Sequence, residues 1–166
     1  GNVSVLDSKN VSMIHQESHI FDDTIRNNLN MELVQTDETL LKCMKFVDLS
    51  EFKLDQNICE DGSNLSGGQV QRIGIARTMA HLKEVLLCDE LTASLDAQTA
   101  IEIENRILDL KEETVLYVTH KYFDETLKKF DCILVFKQGR IVEQGSFEEL
   151  MKNKGDFFSL KNKGHI

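Results

Sequence analysis

Residues 85–90 are the stretch that most limits what this 166-residue chain can fold into. Val85 to Cys88 form an uninterrupted apolar run, as expected of a β-strand that is buried on both faces of a parallel sheet. Asp89 and Glu90 follow directly, and α/β proteins bind their ligands at the carboxyl ends of such strands. The stretch therefore predicts an α/β fold with two carboxylates at one edge of the sheet. Taken alone, it fits equally well a strand that ends in a solvated acidic turn.

The rest of the chain alternates between strand patterns and helix patterns, which favours an α/β fold with a helical insertion. We expect one domain over residues 1–166, in which residues 1–21 and 81–166 form the core around the sheet and residues 22–80 form the helical insertion. Strands are predicted at 3–6, 11–14, 85–88 and 115–118, with a hairpin at 132–136 and 140–142. Helices are predicted at 22–29, 37–49 and 67–80, along the apolar stripe 100–110, and from 146 to a last turn near 155.

A second feature is the Ser-Gly-Gly-Gln stretch, residues 66–69, which comes immediately before a predicted helix. Glycines at a helix N-terminus expose backbone N–H groups, and with the positive end of the helix dipole these groups form a site for an anion. Ser66 adds a hydroxyl donor. A plain helix N-cap would use the same residue types. The arginines that follow, Arg72 and Arg77, and the acidic pair at a fixed distance beyond them favour the anion site.

The acidic composition limits the partners of the chain. A net charge of −9 argues against non-specific binding to nucleic acid or to an anionic membrane surface, because both need clusters of Lys and Arg. We therefore expect no nucleic-acid partner. The four cysteines lie far apart in the sequence, which is typical of reduced thiols in a reducing compartment.

Five motifs, in this order, make the chain resemble the nucleotide-binding domain of ATP-binding-cassette (ABC) transporters. Gln16 follows the second predicted strand and matches the family's Q-loop glutamine. Residues 65–69 match its signature motif, and residues 85–90 resemble its Walker B strand with the catalytic glutamate. Ser94-Leu95-Asp96 resembles its D-loop, and His120 resembles its switch histidine. The resemblance covers nearly the whole chain.

The resemblance implies a fold, cofactors and partners. The fold would be a partial P-loop-NTPase-like sheet of the ABC ATPase kind, flanked by helices, with a helical subdomain that ends in the signature motif. The cofactors would be ATP and Mg²⁺. Two such domains would pair head to tail, with each ATP between the Walker A loop of one and the signature motif of the other. Both domains would contact the transmembrane domains of the transporter at the cytoplasmic face of the cell membrane.

The resemblance also implies a set of site residues. The nucleotide-binding residues would be Ser66, Gly67, Gly68, Gln69 and Asp96. The catalytic residues would be Glu90, His120 and Gln16, and the metal ligands would be Asp89 and Gln16.

Three of these residues carry distinct expected roles. Glu90 would polarise the attacking water, His120 would contact the γ-phosphate, and Asp96 would cross the seam between the two domains. From residue type alone, His120 also fits an ordinary histidine at a strand end, and Gln16 fits a surface amide. Asp96 fits a helix N-cap, and there both interpretations can hold together.

One motif of the family is missing. The chain contains no Gly-x-x-x-x-Gly-Lys-Ser/Thr loop, which in the family holds the phosphates of ATP. In the family this loop precedes the strand that resembles residues 3–6, so we expect a fragment of a longer protein that binds nucleotide poorly and is inactive alone. Without the Walker A strand, Val115, Leu116 and Val118 would line an open edge of the sheet, and we expect the chain to self-associate there.

Finer details of the resemblance favour an exporter. They are Gln16-Glu17 followed by residues 21–26, Glu60-Asp61-Gly62 before the signature motif, and residues 140–145 after the switch histidine. The sequence thus predicts the ATP-hydrolysing domain of an ABC transporter that couples hydrolysis to transmembrane transport. Two alternatives are a soluble ABC ATPase without a membrane partner, and a non-hydrolysing interaction module that supplies only the signature motif.

Overall fold

A computed structural model describes residues 10–31, 33–59, 63–91, 94–120 and 123–163. They form two compact units, one ending at Val118 and the other beginning at Thr119. The elements of the first unit are β1 (Val11–Ile14), α1 (Ile25–Asn30), α2 (Asp37–Phe46), α3 (Gly67–Ala80), β2 (Val85–Asp89), α4 (Ala97–Leu108) and β3 (Thr114–Val118). The elements of the second unit are α5 (Asp124–Leu127), β4 (Ile133–Lys137), β5 (Arg140–Gly145), α6 (Phe147–Asn153) and α7 (Asp156–Lys163).

A parallel sheet in the order β1-β2-β3 organises the first unit. Ile14 lies opposite Cys88, and Asp89 lies opposite Val118, so all three strands point their carboxyl ends to the same edge. The central strand β2 is mostly buried, as its apolar run predicts. The expected α/β fold with a partial sheet is confirmed.

The core of the first unit lies where α1, α2, α3 and α4 meet the sheet. Its side chains come from every one of these elements, and five that are fully buried are Leu29, Leu40, Ile73, Leu86 and Ile103. Removing each such side chain from water stabilises the fold by roughly 1.5–3 kcal/mol. The helix α3 is central to this arrangement because it contacts α1, α2 and β1.

Two arginines from other helices hold the end of α2. The helix stops at Phe46, three residues before the predicted end, and Asp48 then adopts a left-handed backbone with φ 56°. Arg106 of α4 donates to the carbonyl of Phe46 at 2.6 Å and to Asp48 Oδ2 at 2.9 Å. Arg72 of α3 donates to the carbonyl of Asp48 at 2.5 Å. Both cations thus satisfy carbonyl groups at the negative end of the α2 dipole.

Residues 115–118 form the predicted strand, but this apolar run is not buried on both faces. Val115 and Tyr117 are half-buried against the core, whereas Leu116 is 48% and Val118 60% exposed. Among the described residues, β3 pairs only with β2, so one edge of β3 is open, and the face that bears Leu116 and Val118 is about half exposed. A continuous apolar run does not reveal how many faces of a strand are covered. The exposed side chains agree with the expected open edge, and self-association there stays a prediction.

Other boundaries differ by a few residues. The first helix begins at Ile25 and not at residue 22, because the side chain of Thr24 accepts from the Asn27 amide and forms the N-cap. Helix α4 ends at Leu108, so Leu110 lies beyond it. The helix that was expected to be last stops at Asn153 and is followed by α7. The strand predicted at 3–6 lies outside the described residues.

The second unit is built on the predicted hairpin. Strands β4 and β5 pair antiparallel, and Gln138 and Gly139 between them both have positive φ, 51° and 76°, as a tight hairpin turn requires. A capping box of Ser146 and Glu149 opens α6, the helix predicted to start at residue 146. Glu143 of β5 accepts from the Phe157 amide at 2.6 Å and so caps α7. A small core fills this unit, formed by Leu127, Val135, Phe147, Leu150 and Phe157.

Replacing Arg106, the arginine of α4 that contacts the end of α2, is expected to lower the stability of the first unit. Arg106→Met removes both donors while keeping most of the apolar stem, and we expect a loss of roughly 1 kcal/mol in the free energy of unfolding. Urea unfolding followed by circular dichroism measures it. The control is Arg140→Met, which changes an exposed arginine beside the hairpin turn. Equal midpoints for the two variants would show that the contacts of Arg106 add no stability.

Candidate functional site

The carboxyl ends of β1 and β2 bring three of the predicted site residues together. Gln16 lies two residues beyond β1, Asp89 is the last residue of β2, and Glu90 follows it. The side-chain amide of Gln16 donates from Nε2 to Glu90 Oε2 at 3.3 Å. Residues that are 74 positions apart in the sequence therefore meet at one edge of the sheet. Asp89 and Gln16 are exposed at this edge, and Glu90 is half-buried.

The backbone of Glu90 has an uncommon conformation. Its φ of 46° lies in the left-handed region, which residues other than glycine rarely adopt. Its amide donates to the Val118 carbonyl at 3.2 Å, so the bonding between β2 and β3 continues one residue beyond the strand. Such backbone strain costs on the order of 1 kcal/mol and is concentrated at functional sites. It turns the chain sharply and leaves the Glu90 side chain beside Gln16.

The Ser66–Gln69 stretch forms the first turn of α3 as predicted. Ser66 Oγ accepts from the Gln69 amide at 3.2 Å, and Gln69 Oε1 accepts from the Ser66 amide at 2.9 Å, which is a complete capping box. These bonds use the side-chain oxygens only. Among the side-chain groups of this stretch, the hydroxyl hydrogen of Ser66 and the Nε2 group of Gln69 can still donate to an anion.

The two glycines of this stretch have different surroundings. A Cβ on Gly68 would lie 3.4 Å from the carbonyl oxygen of Ser94 and 3.7 Å from Leu95 Cδ2. A Cβ on Gly67 would meet no described residue within 4 Å. The start of α3 therefore lies beside residues 94–95, at a distance where a Cβ on Gly68 would make ordinary van der Waals contact.

Asp96 is the N-cap of α4. Its Oδ1 accepts from the Thr99 amide at 3.0 Å, and this bond holds the pKa of the carboxyl below its ordinary value of 3.8. The structure thus supports the N-cap interpretation of Asp96, while its role across a domain seam stays a prediction. His120 is an exposed residue of the second unit, and its predicted role also stays a prediction.

Comparison with known proteins identifies the family. Residues 3–93, more than half of the chain, match the family model described as ABC transporter. The chain belongs to the ABC transporter family. A β-(1→2)glucan export ATP-binding/permease protein, NdvA, of Bartonella bacilliformis is 34% identical over 166 residues, which cover 95% of this chain and 28% of that protein. An ATP-dependent lipid A-core flippase of Haemophilus ducreyi is 36% identical over 159 residues, which cover 90% of this chain and 27% of that protein.

A solved structure of an ABC protein has a similar fold. It is described as a bacterial Atm1-family ABC exporter with ATP bound, and it matches with a TM-score of 0.84 and 28% sequence identity. The match covers 95% of this chain and 29% of that chain. The present chain spans just over a quarter of the length of the curated relatives that it matches, 28% in the case of NdvA. No helix among the described residues is long and apolar enough to cross a membrane.

The donors at the sheet edge are of the kind that can bind a magnesium ion shared with a nucleotide. No group of three or more His, Cys, Asp or Glu side chains within the described part of the chain could hold a metal by itself. Mg²⁺ is commonly bound by one or two carboxylates, with substrate phosphates and water as its other ligands. The carboxylate of Asp89 and the amide oxygen of Gln16 are ligands of that kind, and both side chains are exposed.

Two polar residues of α3 make contacts that the sequence did not predict, although Arg77 counted there in favour of an anion site. Gln71 is only 2% exposed and contacts the backbone beside both Gln16 and Glu90. Arg77 donates to the carbonyls of Asn28 at 2.6 Å and of His19 at 2.9 Å, and it lies over the Phe21 ring. Burial lowers the pKa of Arg77. A polar residue at a core-facing position of a helix is the signal that could have indicated Gln71.

The two variants Asp96→Asn and Asp96→Ala separate helix capping from any role of the charge. Asn retains a capping oxygen, so we expect it to keep the urea midpoint at pH 7, whereas Ala lowers it. Because folding depresses the Asp96 pKa, its contribution to stability is present above the unfolded value of 3.8 and is lost as the pH falls through the lower folded value. The difference between wild type and Asp96→Ala should therefore shrink below pH 3.8. A difference that does not change with pH would contradict this account.

Proposed function

We propose that this chain is the ATP-binding and ATP-hydrolysing domain of an ABC exporter, which couples MgATP hydrolysis to transmembrane transport. The observation that carries the proposal is the hydrogen bond from Gln16 to Glu90 beside Asp89, at the carboxyl edge of a parallel sheet. This edge is where α/β proteins bind nucleotides. The relatives, a glucan export protein and a lipid A-core flippase, support a role in transport across a membrane.

Each residue at the edge has a chemical task in this proposal. Asp89 and Gln16 would hold Mg²⁺, which would supply positive charge to the phosphate groups of ATP. Glu90 accepts a proton from the attacking water or orients it, as a carboxylate placed by a strained turn can do. Gln16 donates to Glu90 with its nitrogen, so its oxygen would be the atom available to bind the metal. His120 contacts the γ-phosphate as charge moves in the transition state.

The start of α3 would serve a second domain. In the proposal, Ser66 to Gln69 donate to the ATP that a head-to-tail partner domain holds, and Asp96 lies at the seam between the domains. The free N–H groups and the dipole of a helix N-terminus favour a phosphate. The close approach of Gly68 to Ser94 supports this proposal, because it places the signature stretch and the D-loop on one surface.

The helical part, residues 22–80, would be the subdomain that contacts the transmembrane domains at the cytoplasmic face of the membrane. Four apolar side chains before and after α1 are exposed: Phe21 at 50%, Met31 at 48%, Leu33 at 62% and Val34 at 88%. Exposed apolar side chains on a soluble domain commonly mark a site of protein interaction. Arg77 fixes the position of this segment against α3 through His19 and Asn28.

Glu90→Gln is the decisive variant for this function. In the protein expressed from its complete natural gene, we expect the change to lower kcat for ATP hydrolysis by about a hundredfold or more, because the amide cannot take a proton. A phosphate-release assay measures it. The matched control is Glu112→Gln, an exposed glutamate outside the site, which should keep the wild-type rate. Unchanged turnover in Glu90→Gln would exclude Glu90 as the base and favour a non-hydrolysing interaction module.

The chain by itself should bind MgATP weakly and hydrolyse it little. The 166 residues contain no Gly-x-x-x-x-Gly-Lys-Ser/Thr loop to surround the phosphates. Calorimetric titration of the chain with MgATP tests this, and we expect a dissociation constant above roughly 1 mM, which corresponds to only about −4 kcal/mol. One-to-one binding below a millimolar would contradict the expectation.

A further inference from the structure

A single buried glutamine on α3 links the loops that carry Gln16 and Glu90. Gln71 Nε2 donates to the carbonyl of His15 at 3.2 Å and to the carbonyl of Leu91 at 3.2 Å. Its Oε1 accepts from the Ser18 hydroxyl at 3.3 Å. The side chain thus makes bonds to loops that lie 56 and 20 residues away from it in the sequence.

The two accepting carbonyls belong to the direct sequence neighbours of Gln16 and Glu90. His15 directly precedes Gln16, and Leu91 directly follows Glu90. Gln71 therefore fixes the backbone next to each partner of the 3.3 Å hydrogen bond between Gln16 and Glu90. Its three hydrogen bonds go to two carbonyls and to Ser18, so it acts through the placement of the chain that bears these side chains.

The three hydrogen bonds at position 71 require a side-chain amide as long as that of glutamine. A primary amide offers two N–H donors and an acceptor oxygen, and the three observed bonds use both kinds of group. At 2% exposure, water cannot replace a lost partner, and each carbonyl left without a donor carries a penalty. Within the described part of the chain, no buried side-chain nitrogen or oxygen lacks a partner, so this network is complete.

Gly74, about one turn further along α3, strengthens the same link. A Cβ at Gly74 would lie 1.9 Å from Ser18 Oγ and 2.6 Å from Ser18 Cβ. The loop after β1 therefore packs directly on the backbone of α3, which only glycine permits. Gln71 and Gly74 together hold residues 15–18 at one position along the axis of α3.

We propose that Gln71 is a positioning residue that ties the backbone beside Gln16 and Glu90 to the helix beginning with Ser66–Gln69. Through these bonds α3 fixes the two loops relative to each other, and so the distance between Gln16 and Glu90. The proposal rests on the ATPase function proposed above for its effect on turnover. The holding of the two loops does not depend on that function.

The test compares Gln71→Met with Tyr117→Phe in the protein expressed from its complete natural gene. Met has a similar length and lacks both donors. Tyr117→Phe is the matched control, since it removes another side-chain hydrogen bond of the first unit, from the Tyr117 hydroxyl to Glu104 Oε1 at 2.8 Å. Ser18→Ala is the milder second variant in case Gln71→Met does not fold, because it removes only the bond to Gln71 Oε1.

Two readouts are made on each variant. Hydrogen exchange of peptides that cover residues 15–18 and 90–91, measured without nucleotide, reports whether the loops are held. In Gln71→Met we expect exchange there to rise about fivefold, the factor that corresponds to one lost hydrogen bond. Steady-state kinetics should show kcat lower by about tenfold to a hundredfold, with the KM for MgATP changed much less. Ser18→Ala should change both readouts in the same direction and by less.

The outcomes separate the inference from the proposed function. Loop exchange in Gln71→Met and Ser18→Ala no different from Tyr117→Phe would overturn the inference, whatever the rate of hydrolysis. Raised loop exchange with kcat equal to that of Tyr117→Phe would also overturn it, because Gln71 would then be structural only. Raised exchange in a protein whose wild type does not hydrolyse MgATP would support the link and overturn the proposed function.

Discussion

The parallel pairing of β1 with β2 is the constraint on which the rest of the site depends. Because the strands run in the same direction, with Ile14 opposite Cys88, the chain leaves both of them at the same edge. A glutamine two residues past one strand then meets a glutamate one residue past the other, although 74 positions separate them. An antiparallel pairing of the same segments would place these side chains at opposite ends of the sheet.

Helix α3 then joins this edge to the rest of the first unit. Its first turn carries the Ser66–Gln69 stretch, its middle holds the loops after β1 and β2 through Gln71, and its last turns hold α1 through Arg77. Most of these bonds go to backbone carbonyls and not to side chains. The geometry therefore depends on the path of the chain more than on the identity of the residues held, provided that α3 keeps its own polar side chains.

Much of this fold could be predicted, because local patterns determine it. The run that ends at Asp89 and the two capping boxes at Ser66 and Ser146 give elements whose starts agree with prediction within a residue. Helix α7 could not be foreseen, since Gly155 signals a helix end. In the structure that glycine lets Glu143 approach and cap α7, as a Cβ there would lie 1.7 Å from Glu143 Oε1.

The site could be predicted only in part, for a related reason. The acidic pair and the glycines are local signals, whereas the importance of Gln71 depends on carbonyls that only the folded chain brings to it. Likewise, the sequence of β3 does not reveal that Leu116 and Val118 are exposed, because exposure depends on what lies against a strand. The roles of the site residues in catalysis stay predictions, since they concern atoms of a nucleotide.

The open side of β3 also bears on how the protein is made in the cell. Thr114 to Val118 form five uncharged residues of high β-propensity with no proline, the kind of segment that joins intermolecular sheets. Lys111, Glu112 and Glu113 stand immediately before it. Charges beside such a strand act as gatekeepers, because stacking the same segment from many chains would bring like charges together. These three residues would protect the nascent chain as it leaves the ribosome, before any partner covers the strand.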